Sequence, residues 1–298
     1  MASFVSSLVS PLEKVSNLHP CFSKQANIHK GRIHLPVSPT CNIQCKFCKR
    51  SFNKFEQRPG VTGRLLSPEQ ATQFVDKALE LCPEITVAGI AGPGDTLATP
   101  YALETFRLIH ERHPELINCL STNGLLLERF AKDLWDAGVR TVTVTVNAVD
   151  PKILQHICSF VLLDGKRYEG TEAAGILIEA QKRGIRKMAE LGAVIKINVV
   201  LIPGINDFHI SEIARTVAEL GAAIINIIPL IPQYEMSDLD APTCGQLNEA
   251  RAAAEEYLPV FRHCRHCRAD ACGIPGKNDL SHLLYGDDQK IQETFSHG

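Results

Sequence analysis

The sequence predicts an α/β protein built as a partial (β/α)6 barrel, on three observations. Short runs of β-branched and apolar residues alternate with helical stretches six times from about residue 33 onward, the pattern of a parallel sheet with helices outside it. The helical stretches carry apolar residues at three- and four-residue spacing, so each has one stripe to bury. Six units also stop short of the eight that close a full barrel. A doubly wound open sheet is the alternative, and in either fold the chemistry belongs at the C-terminal ends of the strands. A chain of 298 residues that is 45% hydrophobic has ample material for such a core.

The elements follow in order. RIHLPVSP, residues 32–39, reads as a first strand that ends at a cysteine-rich loop. In LLSPEQATQFVDKALEL, Ser67 caps a helix, Pro68 suits its first turn and Gln70 completes a capping box. Ala71, Phe74, Val75, Ala78 and Leu79 form its buried stripe. ITVAGIAG is the second strand, with a helix over Leu103 to His110. LINCLSTNG is the third, followed by LLLERFAKDLWDAG, in which Gly138 ends the helix in the left-handed conformation. TVTVTVNA, rich in β-branched residues, is the fourth, and a long helix covers about Ala173 to Leu191. VIKINVVLIPG then leads to HISEIARTVAELG, whose stripe is Ile210, Ile213, Ala214 and Val217. IINIIPLIP and a helix near Gly245 to Leu258 close the series. Three regions are expected: an N-terminal extension 1–32, the barrel 33–260, and a C-terminal cysteine loop with a polar tail 261–298.

Charge and cysteine usage narrow the function. Lys and Arg number 31 against 33 Asp and Glu, interspersed, which leaves a net charge of −2 and no basic footprint for nucleic acid. No apolar run reaches the roughly 18 residues of a membrane helix. The opening MASFVSSLVSPLEK lacks a basic start and has only a short apolar run broken by serine, so no signal peptide is expected and the chain is placed in the cytoplasm. Disulfides rarely persist there, and eleven cysteines do not pair evenly. The groups Cys41/Cys45/Cys48 and Cys264/Cys267/Cys272 therefore point to metal. Cys82, Cys158 and Cys244 read as plain buried thiols.

In PTCNIQCKFCKR, residues 39–50, the spacing is C-x3-C-x2-C. A structural zinc closes with four protein ligands, whereas three cysteines on one loop can hold three irons of a [4Fe–4S] cube and leave the fourth iron open. Zinc with a distant fourth ligand is the competing reading. Lys46, Lys49 and Arg50 are expected to favour the thiolate forms. This segment, placed after a first strand, resembles the radical S-adenosylmethionine (SAM) superfamily, and Phe47 matches that family's aromatic position beside the last cysteine. The resemblance implies that SAM binds the open iron through its amino and carboxylate groups, and that reductive cleavage yields a 5′-deoxyadenosyl radical. It implies the six-unit partial barrel as well. AGPGDTL, after the second strand, looks like the family's glycine-rich motif, with Gly92 and Gly94 allowing close backbone approach and Asp95 facing the methionine ammonium. Thr122 and Asn123, in STNG at the end of the third strand, could reach the ribose or carboxylate, and Asn147 is a further candidate.

Over nearly the whole chain, HPCFSKQANIHKGRIHLPVSPTCNIQCKFC, FEQRPGV, AGIAGPGDTL and CRHCRADACG resemble the NifB family, radical SAM maturases of the nitrogenase cofactor pathway. The resemblance implies cluster-binding N- and C-terminal extensions and three [4Fe–4S] clusters, one catalytic and two carried as substrate. It implies that one SAM gives a methyl group to a cluster sulfide, leaving S-adenosylhomocysteine, and that the deoxyadenosyl radical from a second SAM abstracts hydrogen from that methyl. The resemblance further implies that the clusters fuse around the resulting carbide with an added sulfur into an [8Fe–9S–C] precursor. On it, the first substrate cluster falls to Cys21, His34 and Cys119, with His19 and His29 as rivals for the nitrogen position. The second falls to Cys264, Cys267 and Cys272. Its catalytic candidates are His34, as a releasable ligand and proton acceptor, and Glu56, as a transient ligand or SAM-positioning group. A salt bridge to Arg58 is the plainer reading of Glu56, a zinc knuckle with His263 or His266 that of the C-terminal loop. The implied partners are cofactor carrier and scaffold proteins, an Fe–S donor protein and a low-potential electron donor. Several bacterial relatives carry a cysteine just before the glutamate of the FEQRPGV-like segment, and this chain does not, which puts a fixed ligand there in doubt. Longer relatives continue into a carrier domain, whereas here a polar tail follows, so the product is expected to pass to another protein.

Two other readings use the same residues. A radical SAM enzyme acting on an organic or peptide substrate would use the C-terminal cysteines for auxiliary clusters. A non-catalytic iron–sulfur carrier or zinc-stabilised scaffold would leave the glycine-rich and STNG loops without a role.

Overall fold

Six segments rich in Ile, Val and Thr become the strands of one sheet in the computed structural model, which describes residues 11–286. They are β1 (Gly31–His34), β2 (Ile85–Ile90), β3 (Ile117–Thr122), β4 (Val139–Thr145), β5 (Val194–Leu201) and β6 (Ile224–Pro229). Helices follow five of them as expected: α1 (Pro68–Leu81), α2 (Tyr101–Arg112), α3 (Leu127–Asp136), α4 (Gly170–Glu190) and α5 (Ile210–Glu219), with α6 (Cys244–Glu255) after β6. Neighbouring strands pair parallel in sequence order from β1 to β6. A doubly wound sheet would reverse direction at its centre. Here every crossover runs the same way, and right-handed crossovers then put all the helices on one face. The sheet is a half barrel, and the open-sheet alternative falls.

Period-two alternation divides each strand between the two faces. Ile33, Ile90, Leu120, Val142, Val144, Ile195, Ile197 and Ile227 join the large apolar core under the helices. Burying each contributes about 1.5–3 kcal/mol before chain entropy is counted. The opposite face carries His34, Cys119, Thr143, Lys196 and Asn198 into the barrel interior. The α1 capping box forms as the sequence reads, and Gly138 has a φ of +79°.

A second, three-stranded antiparallel sheet was not expected. It joins Ile43–Cys45 of the cysteine loop to a hairpin, Cys158–Leu163 and Lys166–Glu169. The hairpin turns at Asp164 and Gly165, both with positive φ, an Asp-Gly signal that the sequence carries openly. On the outer edge of β1, Cys272–Gly273 adds a short antiparallel strand. The N-terminal flank folds into helices Pro11–Ser16 and Lys24–His29. Val15 and Phe22 pack there with Phe261 against Val194 and Ile224, the N-terminal ends of β5 and β6. Among the described residues no helix is long and apolar enough to cross a membrane. The opening residues 1–10 and the polar tail after residue 286 lie outside the described residues.

Candidate functional site

The cysteine loop leaves β1 and is fastened on both sides. The antiparallel ladder pairs Ile43 with Val161 and Cys45 with Cys158, and the Lys46 amide donates to the Ile157 carbonyl at 2.8 Å. Buried Gln44 donates to the carbonyls of Cys45 and Cys48 at 2.7 and 3.1 Å, which shapes the turn that presents Cys45 and Cys48. Burial pushes the Cys41 thiol up to about 12 and raises those of Cys45 and Cys48. The expectation that Lys46, Lys49 and Arg50 would favour the thiolates is therefore corrected: Arg50 opposes the shift, but burial outweighs it. Thiols in such a place ionise when a metal takes up their charge. Among the described residues, no three His, Cys, Asp or Glu side chains converge as ligands of a single metal ion.

The loops at the strand ends are braced by their own side chains. The Gly94 amide donates to the Ser38 carbonyl at 2.8 Å, and a Cβ at Gly94 would overlap the Thr40 carbonyl oxygen. Asp95, 4% exposed, accepts from the Thr122 hydroxyl at 2.9 Å, the Asn123 amide at 2.6 Å and the Leu97 amide at 2.9 Å. Its carboxylate thus ties the β2 loop to the end of β3. Burial raises its pKa, against the pull of these donors. Asn123 donates to the Asn42 side-chain oxygen at 2.7 Å and lies 3.9 Å from the Cys41 sulfur. Asn147 accepts from the Val200 amide at 2.9 Å. Phe47 packs against the apolar cluster around Ile43 and Val161, and its carbonyl accepts from Gln233. Gly92 has a φ of +122°, which keeps a side chain away from this turn. A [4Fe–4S] cluster with SAM fits this donor set: three sulfurs on one braced loop, a close glycine backbone, and a buried Asn42 side-chain nitrogen that meets no partner among the described residues.

Below these loops the barrel interior holds a cavity of about 150 Å³. Ile90, Ala91 and Ser121 in its wall run directly into the braced loops. The cavity gathers Cys21, His34 and Cys119 with Cys264 and Cys267, residues separated by more than 200 positions. It reaches well below the strand ends, where the sequence places all the chemistry, because the N-terminal flank closes the bottom of the barrel. His34 donates from Nδ1 to the Arg268 carbonyl at 2.9 Å, which leaves Nε2 as the lone-pair atom. Burial, with Arg32 beside it, lowers its pKa to about 4, so the ring is neutral. Burial pushes the Cys21 thiol up to about 12 and raises that of Cys119, with Lys196 opposing both.

The other predicted residues lie elsewhere. Cys272, fully buried, pairs with Ile33 and joins the core beneath the helices instead of the cavity. Glu56 is exposed, accepts from the Arg58 Nε at 2.6 Å and from Asn53 at 2.7 Å, and does not line the cavity. Although desolvation pushes the other way, Arg58 holds its carboxyl below the usual range. His29 is exposed on its helix, whereas His19 lines the cavity, as do His263 and His266. Cys82 and Cys158 are buried as expected. Cys244 is exposed, a correction, because the first turn of α6 faces solvent.

Sequence reasoning missed Arg32 and Lys196, each 6% exposed and each lining the cavity. Arg32 donates to the Cys267 sulfur at 3.1 Å and to the Gly273 carbonyl at 2.6 Å. Lys196 donates to the Cys21 carbonyl at 3.3 Å, with the Phe22 and Phe261 rings within 5.4 Å. The signal was a lone lysine in the apolar run VIKINVVL, on the same face as Asn198.

Comparison with known proteins agrees with this architecture. The family model described as "Radical SAM superfamily" matches residues 35–217. The chain is 48% identical over 284 residues to the FeMo cofactor biosynthesis protein NifB of Methanocaldococcus infernus, covering 94% of each. It is 49% identical over 289 residues to NifB of Methanocaldococcus jannaschii, covering 96% of each. Against Klebsiella pneumoniae NifB it is 43% identical over 268 residues, 87% of this chain and 57% of that one. A radical SAM methyltransferase from Sphaerobacter thermophilus shares the fold at a TM-score of 0.56 and 21% identity, over 78% of this chain and 65% of that one. The chain belongs to the radical SAM superfamily and, within it, to the NifB family.

Proposed function

We propose that this chain, a radical SAM enzyme that uses a [4Fe–4S] cluster and SAM, acts in FeMo cofactor biosynthesis. Its specific task is to fuse two [4Fe–4S] clusters, carried as substrate, with a SAM-derived carbide and an added sulfur into the [8Fe–9S–C] precursor. The observation that carries this reading is the convergence of Cys21, His34, Cys119, Cys264 and Cys267 on one interior cavity directly under the SAM-type loops. An organic substrate would not call for five soft or nitrogen ligands there. When bound, the catalytic cluster supplies an electron that cleaves SAM.

The residues of the chain hold and orient. Cys41, Cys45 and Cys48 would carry the catalytic cluster. Phe47, Gly92, Gly94, Asp95, Thr122, Asn123 and Asn147 would shape the SAM site, with Asp95 also bracing it through Thr122 and Asn123. Cys21, His34 and Cys119 would hold one substrate cluster, Cys264 and Cys267 the other. The neutral His34 can leave iron more easily than a thiolate, and its freed ring can take up a proton where anionic cargo offsets the burial and the Arg32 charge that hold its pKa near 4. Arg32 and Lys196 offset the charge of anionic cargo. Glu56 sits on a loop held by Arg268, which donates to the Glu56 and Asn53 carbonyls at 2.8 Å each. That loop is joined through Arg268 to the His34 ring, so a transient role for Glu56 requires it to leave Arg58. The flanks 1–32 and 261–298 serve as cluster-binding extensions of the 33–260 barrel. The implied partners are carrier and scaffold proteins, an Fe–S donor and a low-potential electron donor.

Anaerobic reconstitution tests the reading. About twelve irons per chain, as three cubes require, with both S-adenosylhomocysteine and 5′-deoxyadenosine formed without organic substrate, supports it. About four to eight irons with deoxyadenosine alone, or no cleavage, would favour the organic-substrate enzyme or the carrier.

A further inference from the structure

Of the histidines lining the cavity, His19 is buried and His34 half-buried, and the hydrogen bonds at their Nδ1 atoms set opposite tautomers. At His34, Nδ1 faces the Arg268 carbonyl at 2.9 Å, and a carbonyl only accepts, so Nδ1 carries the hydrogen and Nε2 the lone pair. At His19 the arrangement inverts. Its Nδ1 accepts from the Cys21 amide at 3.1 Å, so the neutral ring carries its hydrogen on Nε2. That Nε2 is buried and meets no partner among the described residues, on a side chain 1% exposed. A buried N–H without an acceptor is costly, and a lone histidine is normally placed to avoid it. Phe22 packs against the ring at 4.5 Å between centroids and holds its orientation. Among the described residues no Asp or Glu lines the cavity, while Arg32, Lys196 and Arg265 do. An anionic cargo would supply that acceptor, and the cationic lining suits it.

On the reading that Cys21, His34 and Cys119 hold a substrate cluster, we propose that His19 is a hydrogen-bond donor to that cluster, its Nε2–H directed at a sulfide or thiolate sulfur. It is not a ligand: ligation through Nε2 would move the hydrogen to Nδ1 and break the bond to the Cys21 amide. The segment that supplies the Cys21 ligand thus also orients its donor, two residues apart. Hydrogen bonds to cluster sulfurs raise reduction potential, so His19 makes this cluster easier to reduce and retains it without taking up a coordination position.

The test uses the full chain with Cys41, Cys45 and Cys48 replaced by Ala, reconstituted anaerobically, with iron counts and an EPR-monitored redox titration. His34→Ala identifies the relevant cluster by the signal it removes. In His19→Phe the iron count is expected to match the parent while that signal moves to lower potential, and in His19→Gln, which keeps an N–H, the shift is expected to be partly restored. A loss of about four irons in His19→Phe, equal to that of His34→Ala, would make His19 a ligand and overturn the proposal. So would an unchanged potential in both His19 variants. A parent chain that binds no iron at all defeats the substrate-cluster reading itself, and the proposal with it, before any change at His19 is compared.

Discussion

The mouth of the half barrel and the cavity below it are built on opposite principles. At the mouth, Asp95, Thr122, Asn123 and Asn147 bond to one another and to neighbouring backbone, so the loops stand fixed by internal contacts. In the cavity, among the described residues, His19 Nε2 and Arg32 Nε are buried without partners, and cations line the wall with no carboxylate beside them. The first region is a rigid template presenting backbone to a small molecule. The second is suited to cargo that brings its own negative charge. On the proposed function, the difference teaches that one barrel can separate a fixed cofactor site from an exchangeable substrate site by where it satisfies its polar groups.

The sharpest way to break the comparison is to remove one sulfur from the mouth. Cys48→Ala is expected to abolish SAM cleavage and to lower the iron count by about four per chain, leaving the cavity clusters in place. Loss of all iron would show that the two regions load together. Next in size is Gly94→Ala, whose Cβ would overlap the Thr40 carbonyl oxygen and force the β1 and β2 loops apart. Overpacking of this kind costs about 1–3 kcal/mol, and the SAM dissociation constant is expected to rise roughly tenfold to a hundredfold. Equilibrium binding of SAM to the reconstituted chain measures it. An unchanged affinity would mean that the glycine loop does not approach SAM.

These two regions were not equally legible in the sequence. The mouth was, because its signals are local: three cysteines within eight residues, and glycine or asparagine at strand ends. Even there the bracing part of Asp95 was not legible, since its partners Thr122 and Asn123 come from another strand and only folding reveals that they bond to its oxygens. The β/α alternation was read strand by strand, since β-branched runs and capping boxes are short-range features. The hairpin at Asp164 and Gly165 was overlooked despite its turn signal, because a long helix next to it dominated the pattern. The cavity was legible only as separate residues. Cys21, Cys119 and Cys264 come from three distant stretches, and nothing in spacing alone tells which of the C-terminal cysteines turns inward.

A milder effect distinguishes the regions by pH. The folded-state pKa of His34, about 4, lies below its ordinary value of 6.5 because burial and Arg32 disfavour the charged ring. The unfolded chain therefore takes up this proton first, and the stabilisation from His34 is full above about pH 6.5 and lost as pH falls toward 4. Two to three pKa units correspond to roughly 3 kcal/mol, and His19, lowered in the same direction by burial, adds to the loss. Urea unfolding of the metal-free chain between pH 7 and 4 should show this decline, and His34→Gln should flatten part of it. A stability independent of pH over that range, in both chains, would mean that the cavity histidines are solvated.

The smallest effect bears on the boundary between the apolar core and the cavity. Cys267 lines the cavity and accepts from Arg32, whereas Cys272, five residues on, faces the core beside Ile33. The intervening chain turns because Arg268 and Asp270 pair with each other at 2.8 Å, and Asp270 accepts from the Gly63 amide at 2.6 Å, which pins this stretch against the loop after Val61–Thr62. Cys272 is thereby directed away from any cargo, and its thiol, pushed up to about 12 by burial, remains protonated there. Cys272→Ala should then leave the iron count unchanged and cost only about 1–2 kcal/mol, the loss of a small buried group from a packed core. Cys267→Ala should do the reverse, lowering iron while scarcely changing the unfolding midpoint of the metal-free chain. If Cys272→Ala instead sheds iron, the edge strand with Gly273 must detach on loading and swing the cysteine inward. The Arg32 bond to the Gly273 carbonyl, made by a side chain that also holds Cys267, would then open together with the backbone pairing of that strand to β1.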